Sequence, residues 1–188
     1  MTTAEIKNEL VIKQTRCWLE SFIIKHNICP FAKPVYEREG VHYGITWGIN
    51  MERILEDLID ECVQLDSDDK IETSLLIYPD AFISMDDYID FIALADELLI
   101  QQGYEGVYQL ASFHPEYQFA ETETDDPANF TNRSPYPMLH LIREASLEQA
   151  LEHYPNPEQI PERNIKFTRE QGLEKMQAIL SHCQNLEI

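Results

Sequence analysis

Apolar positions in this chain follow two alternating rhythms. Over residues 3–26, Ile6, Leu10, Trp18, Phe22 and Ile23 recur at helical spacing, with Thr3 placed to cap the start. Asn27-Ile28-Cys29-Pro30 ends that helix, because a residue before proline disfavours the α region. From Val41 to Trp47 the period drops to two. Val41, Tyr43, Ile45 and Trp47 face one way and His42, Gly44 and Thr46 the other, as in a half-buried strand. Asn50 then caps a helix with Met51, Ile54, Leu55, Leu58, Ile59 and Cys62 on one stripe. The run S-L-L-I-Y (74–78), stopped by Pro79, reads as a central strand. Ser84 or Asp86 starts a third helix carrying Tyr88, Phe91, Ile92, Ala95, Leu98 and Leu99, and Gly103 lies where its C-cap belongs. Val107 to Phe113 follows as a third strand. This alternation predicts an α/β fold: a single layered domain over residues 1–188, with a central mixed or partly parallel sheet of at least three strands covered by helices.

Residues 114–135 break every periodicity. A structureless stretch of about 20 residues in a compact domain is uncommon and usually functional or disordered. The aromatics Tyr117, Phe119 and Phe130 argue for order, since each ring must leave water somewhere. Ser134 to Ala145 then reads as a helix with Pro135 and Pro137 in its first turn. Ser146 with Gln149 resembles a capping box for another short helix, and Pro155, Pro157 and Pro161 mark an extended connection. Thr168 with Gln171 suggests a cap leading into a last helix with Leu173, Met176, Ile179, Leu180 and Cys183.

Composition changes the picture mainly through charge. Of 188 residues, 44% are hydrophobic and 26% charged, close to globular averages. Lys plus Arg number 14 against 34 Asp plus Glu, a formal net charge of −20. That excess repels phosphate backbones and anionic lipid, so neither a nucleic-acid nor a membrane partner is expected. The first ten residues mix Glu5, Lys7 and Glu9 with apolar ones, unlike a signal peptide, and no window approaches a membrane span. The four cysteines, Cys17, Cys29, Cys62 and Cys183, contain no C-x-x-C pair. Cys17, Cys62 and Cys183 are expected buried and unpaired, and the whole reads as a cytoplasmic protein in a reducing compartment.

Candidate chemistry concentrates between His114 and Glu144. His114 falls just past the third strand, where open α/β sheets bind ligands. On the helical reading, Ser134 caps an anion-attracting helix start, and Asn132 and Arg133 lie immediately before it. His140, Arg143 and Glu144 then share one helix face. His114 and His140 are the candidate proton-exchanging groups, and Asn132, Arg133, Arg143 and Glu144 the candidate ligand contacts. The bland alternative is a buried polar network holding a long loop in place. Cys29 has cationic neighbours in Lys25, His26 and Lys33 but follows a helix, and so reads as structural. The acidic stretch lacks the spaced ligands of a calcium loop, no H-E-x-x-H exists, and no metal site is expected. The first strand offers a small face, Gly40, Gly44 and Gly48 with His42 and Thr46, that admits a close backbone or ligand and also suits an edge strand. No phosphate-binding or dinucleotide fingerprint occurs, and no cofactor is indicated.

The segments N-I-C-P-F-A (27–32), S-F-H-P-E-Y-Q-F (112–119), T-N-R-S-P-Y-P-M-L-H-L-I-R-E (131–144) and P-E-R-N-I (161–165) together resemble a bacterial family catalogued as domain of unknown function 1415. The resemblance runs from about Thr15 to Ile179 and is most specific around Tyr136. It implies a small bacterial cytoplasmic protein and carries no activity with it. Two functions follow from the residues. One is a small enzyme or ligand-binding domain for an anionic metabolite, its pocket built by residues 112–144. The other is a non-enzymatic acidic protein that docks a basic partner. They differ in whether the four basic groups share a pocket or are each satisfied by neighbours.

Overall fold

The computed structural model describes residues 2–188 and contains, among them, seven α-helices and a mixed four-stranded sheet. The fold is α/β. Contacts cluster into two compact units that interleave along the chain: residues 34–113 with 137–155, and residues 1–33, 114–136 and 156–188.

The first of these holds the sheet, in the order β1-β2-β4-β3. Its strands are β1 (Val41–Ile45), β2 (Thr73–Ile77), β3 (Tyr108–Phe113) and β4 (Met138–Arg143). β1 runs parallel to β2, joined through α3 (Met51–Ser67), while β4 is antiparallel to both β2 and β3. The other crossover, α4 (Met85–Gln101), joins β2 to β3. Both helices start where the sequence places them. Asn50 Oδ1 accepts from the Arg53 N–H at 2.8 Å, and Ser84 Oγ from the Asp86 N–H at 3.2 Å. Gly103 adopts φ +82° at the end of α4, a conformation that costs a residue with a Cβ.

Register places Ser74, Leu76, Leu139, Leu141 and Tyr108 on one sheet face. Against it pack Ile54, Leu58, Cys62 and Leu65 of α3 and Tyr88, Phe91, Ala95 and Leu99 of α4. Each fully buried side chain of this size contributes about 1.5–3 kcal/mol. Tyr78 stands edge-on to both Phe82 and Phe91, with centroids 5.3 Å apart in each case.

The helix expected over 135–145 does not form. Pro135 and Pro137 hold that stretch extended, and Met138–Arg143 becomes β4, paired on both edges. Leu, Met and Arg favour helix in isolation, but two rows of ladder bonds outweigh that preference. The separate short helix expected from Ser146 forms as α5 (Glu144–Glu152), starting two residues earlier and without a side-chain cap. A short helix the sequence reading lacked, α2 (Ala32–Glu37), follows the N-I-C-P turn.

The second unit is helical. In α1 (Thr3–Trp18) the cap is Thr2 rather than Thr3, in a reciprocal box with Glu5. Leu19–Ile24 continues it as a π-helical turn. The expected extended segment around Pro157 and Pro161 is a 3₁₀ turn, Pro157–Gln159, running into α6 (Ile160–Gln171), with Pro161 in the first turn where its missing N–H costs nothing. Thr168 lies inside α6 rather than capping the next helix. Gly172 at φ +81° makes the break before α7 (Leu173–Gln184). Gln14 Nε2 donates to the carbonyls of Gln184 and Leu186 at 2.8 and 3.0 Å, joining α1 to the chain after α7.

Candidate acid–base site

On α3, Arg53, Asp57 and Glu61 recur every four residues and so share one stripe. That stripe meets the face of β1 carrying His42 and Gly44. Gly44 has no Cβ, and a methyl group there would overlap the Glu61 carboxylate and crowd Leu76. The missing side chain therefore lets a carboxylate approach the strand. Glu61 Oε2 accepts two bonds, from Ser74 Oγ at 2.5 Å and from His42 Nδ1 at 2.9 Å. His42 and Ser74 are register partners on β1 and β2, so pairing of the strands fixes both donors against one oxygen. Beside them Thr46 Oγ1 donates to Asp57 Oδ2 at 2.7 Å, and Arg53 Nη2 pairs with Asp57 Oδ1 at 2.5 Å.

Because carboxylate oxygens only accept, the network assigns a proton to His42 Nδ1. Nε2 has no hydrogen-bond partner among the described residues, and the His42 side chain is 36% exposed against 12% for Glu61. The hydrogen bond to Glu61 raises the His42 pKa above its ordinary value, burial opposes this, and the charge of Glu61 adds to the rise. Ser74 is fully buried and spends its proton on Glu61, which leaves it unsuited as a nucleophile. The arrangement is an oriented imidazole with one nitrogen open to water, able to take or give a proton near neutral pH.

The residues singled out from the sequence are held differently. His140 and Arg143 lie three apart on a strand, so they point to opposite faces rather than sharing a helical one. His140 Nε2 lies 2.6 Å from Thr73 Oγ1, which itself donates to the Leu141 carbonyl at 2.5 Å. The imidazole is therefore the donor in that contact. Burial lowers its pKa to about 4, which keeps it neutral. Arg143 runs under the sheet end instead. Its guanidinium donates to the carbonyls of Leu65 and Ile71, the latter at 3.0 Å, and to Tyr108 Oη at 3.4 Å. Glu144 starts α5, its N–H donating to the Val107 carbonyl at 3.0 Å.

His114, Asn132 and Arg133 belong to the helical unit and its long loop. His114 is 1% exposed, and its Nδ1 accepts from the Glu116 N–H at 3.0 Å. The His114 N–H donates to the Asn132 carbonyl at 3.2 Å. Arg133 Nε and Nη2 donate to the carbonyls of Tyr117 and Thr124 at 3.0 and 2.8 Å, with the guanidinium 4.7 Å from the Phe130 ring centroid. Ser134 caps no helix and donates to the Tyr136 carbonyl at 2.6 Å. The loop is ordered, as expected, around the buried Asn129, which binds Phe119, Thr122 and Glu123. Of its three aromatics only Phe130 is buried. Tyr117 and Phe119 stay half-exposed, edge-to-face at 5.1 Å. Among the described residues no group of three or more His, Cys, Asp or Glu side chains could hold a metal ion.

The sequence marked the small face of β1, with Gly44 and His42, but not its partners Glu61 and Ser74. The four-residue spacing of Asp57 and Glu61 beside the apolar stripe of α3 was the available signal.

The sheet, its two crossover helices and this histidine–carboxylate cluster define an α/β protein with a candidate acid–base centre at the edge of its sheet. Residues 10–178 match the family described as Protein of unknown function (DUF1415), and the chain belongs to it. No curated protein and no solved structure matches the chain. No helix among the described residues is long and apolar enough to cross a membrane.

Proposed function

We propose that the chain is a small enzyme or ligand-binding protein for an anionic small molecule, with His42 as the group that exchanges a proton with it. The observation that carries this reading is that His42 has one nitrogen fixed by Glu61 and the other open. A protonated Nε2 donates to an anionic oxygen, and the neutral form accepts a proton from a bound ligand. In this reading the side chains of His140, Arg143, His114, Asn132, Arg133 and Glu144 serve the scaffold, because the guanidinium groups of both arginines donate to backbone carbonyls. Neither nucleic acid nor a membrane is the expected partner of a chain at −20. The four free cysteines fit a cytoplasmic, reducing setting.

The test is a thermal-shift screen of phosphorylated and carboxylated metabolites against the wild type and His42→Gln. A ligand that raises the melting temperature of the wild type but not of His42→Gln supports the proposal. Equal shifts in both proteins sink it.

A second reading, an acidic protein docking a basic partner, is favoured by the internal use of Arg133 and Arg143, which leaves the surplus of carboxylates without them. Binding of a polylysine peptide that survives 0.5 M salt would favour it over the first.

A further inference from the structure

Cys17 on α1 and Cys183 on α7 lie with their sulfurs 2.9 Å apart, although 166 residues separate them. Both thiols are free. Neither the half-exposure of Cys17 nor its contact with Cys183 follows from the sequence, which predicts both buried and without partners. The structure leaves Cys17 half-exposed and sets it against the buried Cys183, with Ser21 Oγ 3.4 Å from the Cys183 sulfur. A disulfide places its sulfurs about 2 Å apart, so the two sulfurs lie within about an ångström of bonding distance. The two cysteines differ in access. Cys17 can meet a reagent from solvent, whereas Cys183 is fully covered and its sulfur lies within hydrogen-bond reach of Cys17 and Ser21.

We propose that Cys17 and Cys183 form a reversible redox pair, in which Cys17 reacts with a small-molecule disulfide and Cys183 resolves the product. In the first step the Cys17 thiolate attacks one sulfur of the small disulfide, forming a mixed disulfide and releasing one small thiolate. In the second, Cys183 attacks the Cys17 sulfur, expels the second small thiol and passes its proton to it. The protein dithiol is oxidised by two electrons, the small disulfide is reduced to two thiols, and one intramolecular S–S bond replaces one intermolecular bond. Cys183 does not start the reaction because it is covered from solvent while Cys17 is not; burial and the hydrogen bond to Cys17 also push its thiol up to about 12. Among the described residues, Cys29 and Cys62 have no thiol neighbour of this kind. Burial raises both of their thiols, Cys62 to about 12. The oxidised pair staples the N-terminal helix of the unit to its C-terminal one.

The experiment is incubation of the whole protein with oxidised glutathione at pH 8, followed by non-reducing peptide mapping by mass spectrometry. The expected product is a linked peptide pair containing Cys17 and Cys183, absent after dithiothreitol, with a higher melting temperature than the reduced protein. Cys183→Ala should stop at glutathione on Cys17, and Cys17→Ser should remain unmodified at Cys183. Glutathione accumulating on Cys17 of the wild type without the link overturns the proposal, as does a linkage through Cys29 or Cys62. The wild-type map decides the question even if a variant fails to fold.

Discussion

The loop around Arg133 and the strand edge around His42 are both crowded with polar side chains, yet they have spent them differently. In the loop, Arg133 and Asn129 direct their side chains at groups of the same segment, and Asp126 caps a 3₁₀ turn over Pro127–Thr131 while gripping Arg169 at 2.7 and 3.1 Å. At the strand edge, Glu61 gathers two donors and in doing so leaves one nitrogen of His42 unused. The density of polar residues in sequence is equal evidence for either outcome. What separates a scaffold from a site is whether a donor or acceptor is left over once the backbone has been satisfied.

The largest test of this difference removes a polar group that is wholly committed. Asn129→Ala deletes three hydrogen bonds in a fully buried position and strands the Phe119 N–H and the Glu123 carbonyl. Urea unfolding should show a loss of about 4 kcal/mol. A loss under about 1 kcal/mol would mean that the loop is not held from within.

His140 and His42 allow the same contrast within one sheet, through pH. The folded pKa of His140, about 4, lies below the ordinary 6.5, so the unfolded chain binds the extra proton between those values. Stability should therefore rise from pH 4 to pH 6.5, by up to about 3 kcal/mol from this group. His140→Gln should flatten that part of a stability-against-pH profile; an unchanged slope would show the imidazole is not desolvated.

For His42 the sign reverses. Its raised pKa contributes stability below pH 6.5 that fades as pH climbs through the folded value. Glu61→Gln should bring the His42 pKa down, as read by NMR titration of the ring, and cost about 1–2 kcal/mol through the weakened bonds to Ser74 and His42. A pKa that stays raised in this variant would assign the shift to some other group.

The smallest effect should come from the surface. Arg38 pairs with Glu72 just before β2, but 53% of its side chain is exposed. Arg38→Ala should change stability by less than about 0.5 kcal/mol and leave the His42 titration where it was. A larger change would mean that the edge of the sheet depends on solvent-facing charge.

Much of the fold was legible because period carries it. The alternation of Val41 to Ile45 and the stripe from Ile54 to Cys62 each have one interpretation, and their caps at Asn50 and Ser84 are local chemistry. Met138–Arg143 was not legible, since M-L-H-L-I-R suits either state and its assignment depends on two strands far away in sequence. The state of that segment also decides which site side chains share a face. As a helix the segment aligns His140 with Arg143 and Glu144; as a strand it parts the first two. The cluster at His42 was half visible. Gly44 marks a close approach, but only the packing of α3 against β1 shows that the approaching group is Glu61, and only the strand register that Ser74 supports it.

The position of β4 has a consequence for how the protein is made. Among the described residues it is the last strand in sequence, and it is the second from the edge of the sheet, inserted between β2 and β3. A chain still on the ribosome with residues 138–143 unsynthesised holds β2 and β3 with the backbone N–H and C=O groups of the edges they share with β4 unpaired. The sheet closes only when those six residues arrive, and both ladders then form together through long-range contacts. Chains that stop short of this strand should therefore aggregate rather than fold to a smaller stable core, and slow translation through this region would lengthen the time the unpaired edges stay open.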